Sequence, residues 1–65
     1  MEKDWVLIFS STTMHQVHMN RIYLEENGIE SIIINKQDSV YNAFGDIELY
    51  VNRNDILKAK QLLQS

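Results

Sequence analysis

The residues of this 65-residue chain whose types are best suited to catalysis or metal binding are two histidines and a pair of serines. His15 and His18 are three positions apart, a spacing that lets two imidazoles on one helix share a metal ion. A structural zinc site needs four ligands and the chain has no cysteine, so we interpret both histidines as ordinary surface residues. Ser10 and Ser11 precede a predicted helix, where hydroxyl oxygens accept hydrogen bonds from free backbone amides, and this role explains them without a nucleophile. The sequence therefore predicts no catalytic residue, no metal, no cofactor and no enzymatic activity.

The overall charge and the N-terminal segment narrow the class of partner and the compartment. The formal charge is −3, and the six Lys and Arg residues do not cluster, whereas nucleic-acid-binding domains carry a basic face. The apolar run at residues 5–9 is too short for the core of a signal peptide or for a membrane span. Together with the absence of cysteine, this pattern predicts a cytoplasmic protein, with neither nucleic acid nor a membrane as its partner.

The hydrophobic pattern predicts one domain over residues 1–65, with elements in the order strand, helix, strand, strand, helix. The predicted strands cover residues 5–10, 31–35 and 46–51, and the predicted helices cover residues 13–27 and the segment after Asn52. In the third strand apolar and polar residues alternate, so one of its faces packs and the other is partly in contact with water. Gly28 can take the left-handed conformation that ends the first helix.

Each predicted helix has one polar and one apolar face. On the first helix, a polar stripe with spacings of three and four is expected to face solvent; its members are His18, Arg21 and Glu25. The opposite face is predicted to enter the core with Val17, Met19, Tyr23 and Leu24. The last helix is predicted to be capped by Asn52 and to pack through an apolar stripe of Ile56, Ala59, Leu62 and Leu63.

These elements predict a two-layer α+β sandwich with the order β-α-β-β-α. The first strand, its crossover helix and the second strand form a right-handed parallel unit, and the connection at residues 36–45 permits an antiparallel return. The third strand is therefore predicted to lie between the other two, in strand order 1-3-2, with both helices on one face of the sheet. This arrangement is a ferredoxin-like fold that lacks its fourth strand.

The predicted fold leaves one sheet face without helices and the first strand at a free edge. Unpaired backbone groups beside large apolar side chains favour association, so we expect a homo-oligomer or a partner protein on the open sheet face or on the first-strand edge. The residues predicted to bind this partner are Trp5, Ile33, Tyr41, Phe44 and Tyr50. Phe44 has an equally good alternative role as a lid that covers the core. A monomer whose tails and loops shield the sheet is the alternative for the whole protein.

Several segments of the chain also resemble a known family. They are Trp5 with its apolar strand, Gln16-Val17, residues 24–30 and, above all, residues 44–51. In these segments the chain is similar to the prokaryotic signal-transducing protein family, whose members are small bacterial proteins of uncharacterised function. The resemblance implies a variant of the ferredoxin-like fold close to that of the nitrogen-regulatory PII proteins. The connection at residues 36–45 is far shorter than the functional loop of PII proteins and has no nucleotide-binding motif.

Two functional hypotheses follow from the sequence. The first is a small regulatory or protein-interaction module, in line with the signal-transducing role that the resemblance implies. The second is a sensor that binds a small ligand in a pocket between the connection at residues 36–45 and the start of the first helix.

Overall fold

The computed structural model of the protein describes residues 4–38 and 46–64. The elements, in chain order, are β1 (Trp5–Ser11), α1 (Met14–Glu26), β2 (Ser31–Asn35), β3 (Ile47–Asn52) and α2 (Ile56–Gln64), with short 3₁₀ turns at Lys36–Asp38 and Arg53–Asp55. The predicted order of strands and helices is confirmed. Neither of the helices in the described ranges has the length and apolar content that crossing a membrane requires.

The three strands form one sheet in the order β1-β3-β2, and β3 is antiparallel to both of its neighbours. Helix α1 packs on all three strands and most closely on β2, whereas α2 packs on β1 and β3. The predicted fold class is therefore confirmed: the protein is a small α+β sandwich of the ferredoxin-like type that lacks one strand. In the described ranges, β1 and β2 are the two edges of the sheet.

The core lies between the helices and one face of the sheet. Its fully buried residues are Val17, Leu24, Ile29, Ile47, Leu49, Val51 and Ala59. The alternation predicted for β3 is confirmed, because Ile47, Leu49 and Val51 are buried and the residues between them are partly exposed. The apolar stripe predicted for α2 is also confirmed, because Ile56, Leu62 and Leu63 pack against the core around Ala59.

The prediction for the core face of α1 is only half right. Val17 and Leu24 are buried, but Met19 and Tyr23 are exposed. At about 100° per residue, Met19 lies roughly 160° around the helix from Val17 and therefore points away from the sheet. The sequence pattern was ambiguous because α1 carries apolar residues on opposite sides, so its hydrophobicity does not define one face.

A bulge in β1 changes which of its residues face the core. The register between β1 and β3 shifts between Leu7 and Phe9. As a result Ile8 and Phe9, although adjacent in sequence, both pack against the core, while Leu7 remains on the opposite face and is exposed. A bulge inserts one unpaired residue and bends the strand, so simple alternation fails at this position.

The ends of α1 are fixed by local hydrogen bonds. At the C-terminal end, Gly28 has a positive φ of 82°, and the amide of Ile29 donates to the carbonyl of Leu24 at 2.9 Å. This is the Schellman arrangement, and both of its apolar residues, Leu24 and Ile29, are buried. At the N-terminal end, the Ser11 hydroxyl accepts the Thr13 amide at 3.1 Å and donates to the Gln16 side chain at 2.7 Å.

Candidate functional site

One face of the sheet is not covered by either described helix, and we call it the open face. Because Leu49 and Val51 are buried under the helices, side-chain alternation puts Glu48 and Tyr50 on the other side of β3. The strand pairing extends this assignment to β1 and β2. The open face consists of Trp5, Leu7 and Ser10 from β1, Glu48, Tyr50 and Asn52 from β3, and Ile32 and Ile34 from β2.

A row of apolar and aromatic side chains crosses the open face from one edge to the other. Tyr50 in the central strand is paired with Leu7 on one side and with Ile32 on the other. Leu7 is 44% exposed, and Tyr50 and Ile32 are partly exposed. Trp5 and Ile34 extend the row along the edge strands. Large aromatic side chains such as Trp and Tyr are the types that concentrate binding energy at protein interfaces.

The open face also has one charged corner, built around Glu48. Its Oε1 atom accepts the Tyr50 hydroxyl at 2.7 Å and lies 3.4 Å from the Lys36 Nζ atom. The hydrogen bond from Tyr50, aided by Lys36, lowers the pKa of Glu48 against the opposing effect of partial burial. The pKa of Tyr50 is raised, chiefly because its proton is held by the Glu48 carboxylate. The corner therefore holds a paired carboxylate that fixes the orientation of the Tyr50 ring.

Ile33, one of the predicted partner-binding residues, does not lie on the open face, and its role in binding a partner stays a prediction. Ile33 pairs with the buried Leu49 and packs against the core under α1. Its neighbours Ile32 and Ile34 occupy the open face instead. Three consecutive isoleucines have no alternation of their own, so only the register with β3 determines which of them faces outward.

The other predicted binding residues divide into two groups. Trp5 and Tyr50 lie on the open face, where the structure brings them together with Leu7. Tyr41 and Phe44 lie outside the described residues. Sequence reasoning missed Leu7, because residues 5–9 are an unbroken apolar run with no alternation to show which of them face outward.

The other candidate sites of the sequence gain no support as binding sites. His15 and His18 are exposed on α1, and in the two described ranges no three His, Asp or Glu side chains come together as metal ligands. The described residues enclose no pocket, and the Ser11 hydroxyl at the helix start is already engaged by Thr13 and Gln16.

Comparison with known proteins leaves the function open. The chain matches no protein-family model, no curated protein and no solved structure. What the fold and the open face define is a class of molecule: a small two-layer α+β domain with one sheet face lined mainly by apolar side chains.

Proposed function

We propose that this chain is a small regulatory protein-interaction module that binds an apolar segment of a partner protein on its open face. The observation that carries the proposal is the row formed by Leu7, Tyr50 and Ile32, extended by Trp5, which no described helix covers. A sheet that is apolar on both faces gains stability when a second layer covers it. The same proposal includes two expectations from the sequence, a role in signal transduction and a location in the cytoplasm.

The dimensions of the open face suit one amphipathic helix. Neighbouring strands are about 4.8 Å apart, so three strands place about 10 Å between the outer two, and this matches the diameter of a helix with its side chains. Strands of five to seven residues extend for roughly 17–23 Å at about 3.3 Å per residue. A helix of about 11–15 residues covers that length at about 1.5 Å per residue.

The small area of the open face predicts weak, reversible binding. A rectangle of these dimensions, widened by the side chains, covers about 300–400 Å² on each partner, which is below the roughly 800 Å² of a standard stable interface. Such an area is typical of transient regulatory contacts, so we expect dissociation constants of roughly micromolar or higher. The charged corner at Glu48 and Lys36 gives the bound helix a preferred direction.

The proposal is tested by affinity capture from the source organism with two matched variants. Ile32→Lys puts a charge at one end of the apolar row on the open face. Leu57→Lys makes a change of the same size and charge on α2, where Leu57 is 79% exposed. Circular dichroism and the fluorescence of the single tryptophan, Trp5, verify that both variants are folded.

The expected result is that a protein captured by the wild type is retained by Leu57→Lys and lost by Ile32→Lys. Burying an unpaired ammonium in an apolar contact costs several kcal/mol. Each 1.4 kcal/mol weakens binding about tenfold, so a contact of roughly micromolar affinity becomes too weak to capture the partner. Equal capture by both variants would contradict the proposal. Stabilisation of the wild type by a small metabolite, together with equal capture, would favour the sensor hypothesis instead.

A further inference from the structure

The outer edge of β2 has features that point to a second copy of this chain. β2 is an edge strand of five residues, Ser31–Asn35, without charge or proline, and its register with β3 is unbroken. The other edge strand, β1, is interrupted by its bulge. Natural edge strands are usually protected by charges, prolines or bulges, and β2 has none of these within its length.

The hydrogen bonds of the sheet show which backbone groups of β2 point outward. The amide of Lys36 donates to the carbonyl of Asp46 at 3.2 Å. In an antiparallel pair the residues that bond to the neighbouring strand alternate, so Ile34 and Ile32 also direct their N–H and C=O groups toward β3. The backbone groups of Ser31, Ile33 and Asn35 therefore point away from the sheet, where no described strand is paired with them.

We propose that two copies of this chain associate by antiparallel pairing of their β2 strands about a two-fold axis at Ile33. In this register Ile33 faces Ile33 of the second copy, and Ser31 faces Asn35 of the second copy. Each of the three facing pairs exchanges two hydrogen bonds, so every outward N–H and C=O group of the strand is paired. No other two-fold register pairs all of them.

The charges that flank β2 are complementary in the same register. Glu30 precedes the strand and Lys36 follows it, and the two-fold axis at Ile33 places Glu30 of one copy directly opposite Lys36 of the other. Cross-strand pairs of opposite charge favour pairing, whereas like charges directly opposite oppose it. Glu30 is exposed and Lys36 is half exposed, so both can reach this partner without losing the Glu48 contact of Lys36.

The pairing joins two three-stranded sheets into one of six strands. A two-fold axis perpendicular to the sheet leaves both open faces on the same side, where Ile32 of each copy lies beside Ile34 of the other. The interface is a short strand edge, smaller than a standard interface, so we expect a dissociation constant of roughly 0.01–1 mM. The pairing uses the edge and therefore does not depend on what binds to the open face.

The first test is amide hydrogen exchange of the wild-type chain at about 20 μM and about 2 mM. Mass action predicts that exchange at Ile33 is about two- to tenfold slower at the higher concentration. The amides of Ile32 and Ile34 already bond to β3, so their exchange is set by opening of the monomer and changes less than that of Ile33. Exchange at Ile33 that is the same at both concentrations would overturn the proposal.

The second test exchanges the flanking charges between two variants, Glu30→Lys and Lys36→Glu, and measures association by sedimentation velocity. Each variant alone opposes like charges at both ends of the pairing, so its self-association weakens by about tenfold. An equimolar mixture restores opposite charges in the mixed dimer and should associate at least as well as the wild type. The net charges become −3 + 2 = −1 and −3 − 2 = −5, so overall attraction between the two variants cannot explain this gain.

A matched control uses Glu25→Lys and Lys58→Glu, which have the same net charges and change exposed residues of the two helices. This second mixture should associate no better than its components. A gain in the control mixture as large as in the Glu30→Lys and Lys36→Glu mixture, or no gain in either, would overturn the β2 pairing. Loss of self-association by Ile32→Lys alone, with the edge variants unaffected, would move the interface to the open face.

Discussion

Lysine substitution at two adjacent isoleucines of β2 distinguishes the core face of the sheet from the open face by the loss of stability that each substitution causes. Ile33 packs against the core and pairs with Leu49, which is 0% exposed. Ile33 is partly buried, so Ile33→Lys loses at most about 1.5–3 kcal/mol of apolar burial. Placing the ammonium near the core adds to this loss, although the long side chain can partly extend toward water. We expect a total loss of about 3–4 kcal/mol.

Ile32→Lys, one residue away, should have a much smaller effect. Ile32 lies on the open face, where the ammonium stays in water, and the loss is limited to strand preference and to contacts with neighbouring side chains. Each of these effects is about 1 kcal/mol or less. A chain of this size has a stability of about 3–10 kcal/mol, so the two variants differ by a large fraction of the total.

Urea unfolding followed by circular dichroism measures this difference. With a slope of about 1 kcal/mol per molar urea, the midpoint should fall by about 3–4 M for Ile33→Lys, or the variant should already be unfolded in buffer. The midpoint for Ile32→Lys should fall by about 1 M or less. Equal losses, or a larger loss for Ile32→Lys, would refute the assignment of the two faces.

Three further perturbations test other parts of the structure. Leu49→Ala removes a fully buried side chain and should cost about 2–5 kcal/mol in urea unfolding, whereas a loss below about 1 kcal/mol would place Leu49 outside the core. Gly28→Ala should cost about 1–2 kcal/mol in thermal unfolding, because alanine is strained at a φ of +82°. The added Cβ meets no atom within 4 Å, so no steric clash adds to this cost. An unchanged melting temperature would contradict this conformation at the helix end. Glu48→Gln should lower the raised pKa of Tyr50 toward its ordinary value, as followed by tyrosine carbon NMR. A pKa of Tyr50 that does not change in the variant would exclude the hydrogen bond. Because that pKa is raised in the folded chain, the bond stabilises the fold below the ordinary tyrosine pKa, and its contribution is lost as pH rises through the raised value.

The order of elements and the strand order could be predicted from the sequence because each depends on local pattern and chain connectivity. The alternation from Ile47 to Val51 marks a half-buried strand, and the connection lengths leave few ways to arrange three strands. The Asn27-Gly28 pair likewise marks the end of α1. These features need no knowledge of which residues meet across the sheet.

The sequence predicts less accurately which residues of each strand and helix face the core. Ile32, Ile33 and Ile34 are chemically identical, so the register with β3 alone decides which one reaches the core. The β1 bulge places both Ile8 and Phe9 against the core and leaves Leu7 on the open face, although all three residues are apolar. On α1, Met19 lies opposite the buried line of Val17 and Leu24, and composition alone gives no reason to prefer either side.

Site-specific photo-crosslinking in cells of the source organism tests the central claim most directly. A photoreactive phenylalanine analogue replaces Leu7 on the open face in one variant and Leu57 on α2 in the other; both positions are exposed in the folded chain. We expect a discrete crosslinked protein from position 7 and none from position 57. Crosslinking from position 57 alone, or the same products from both positions, would contradict a binding surface on the open face of the sheet.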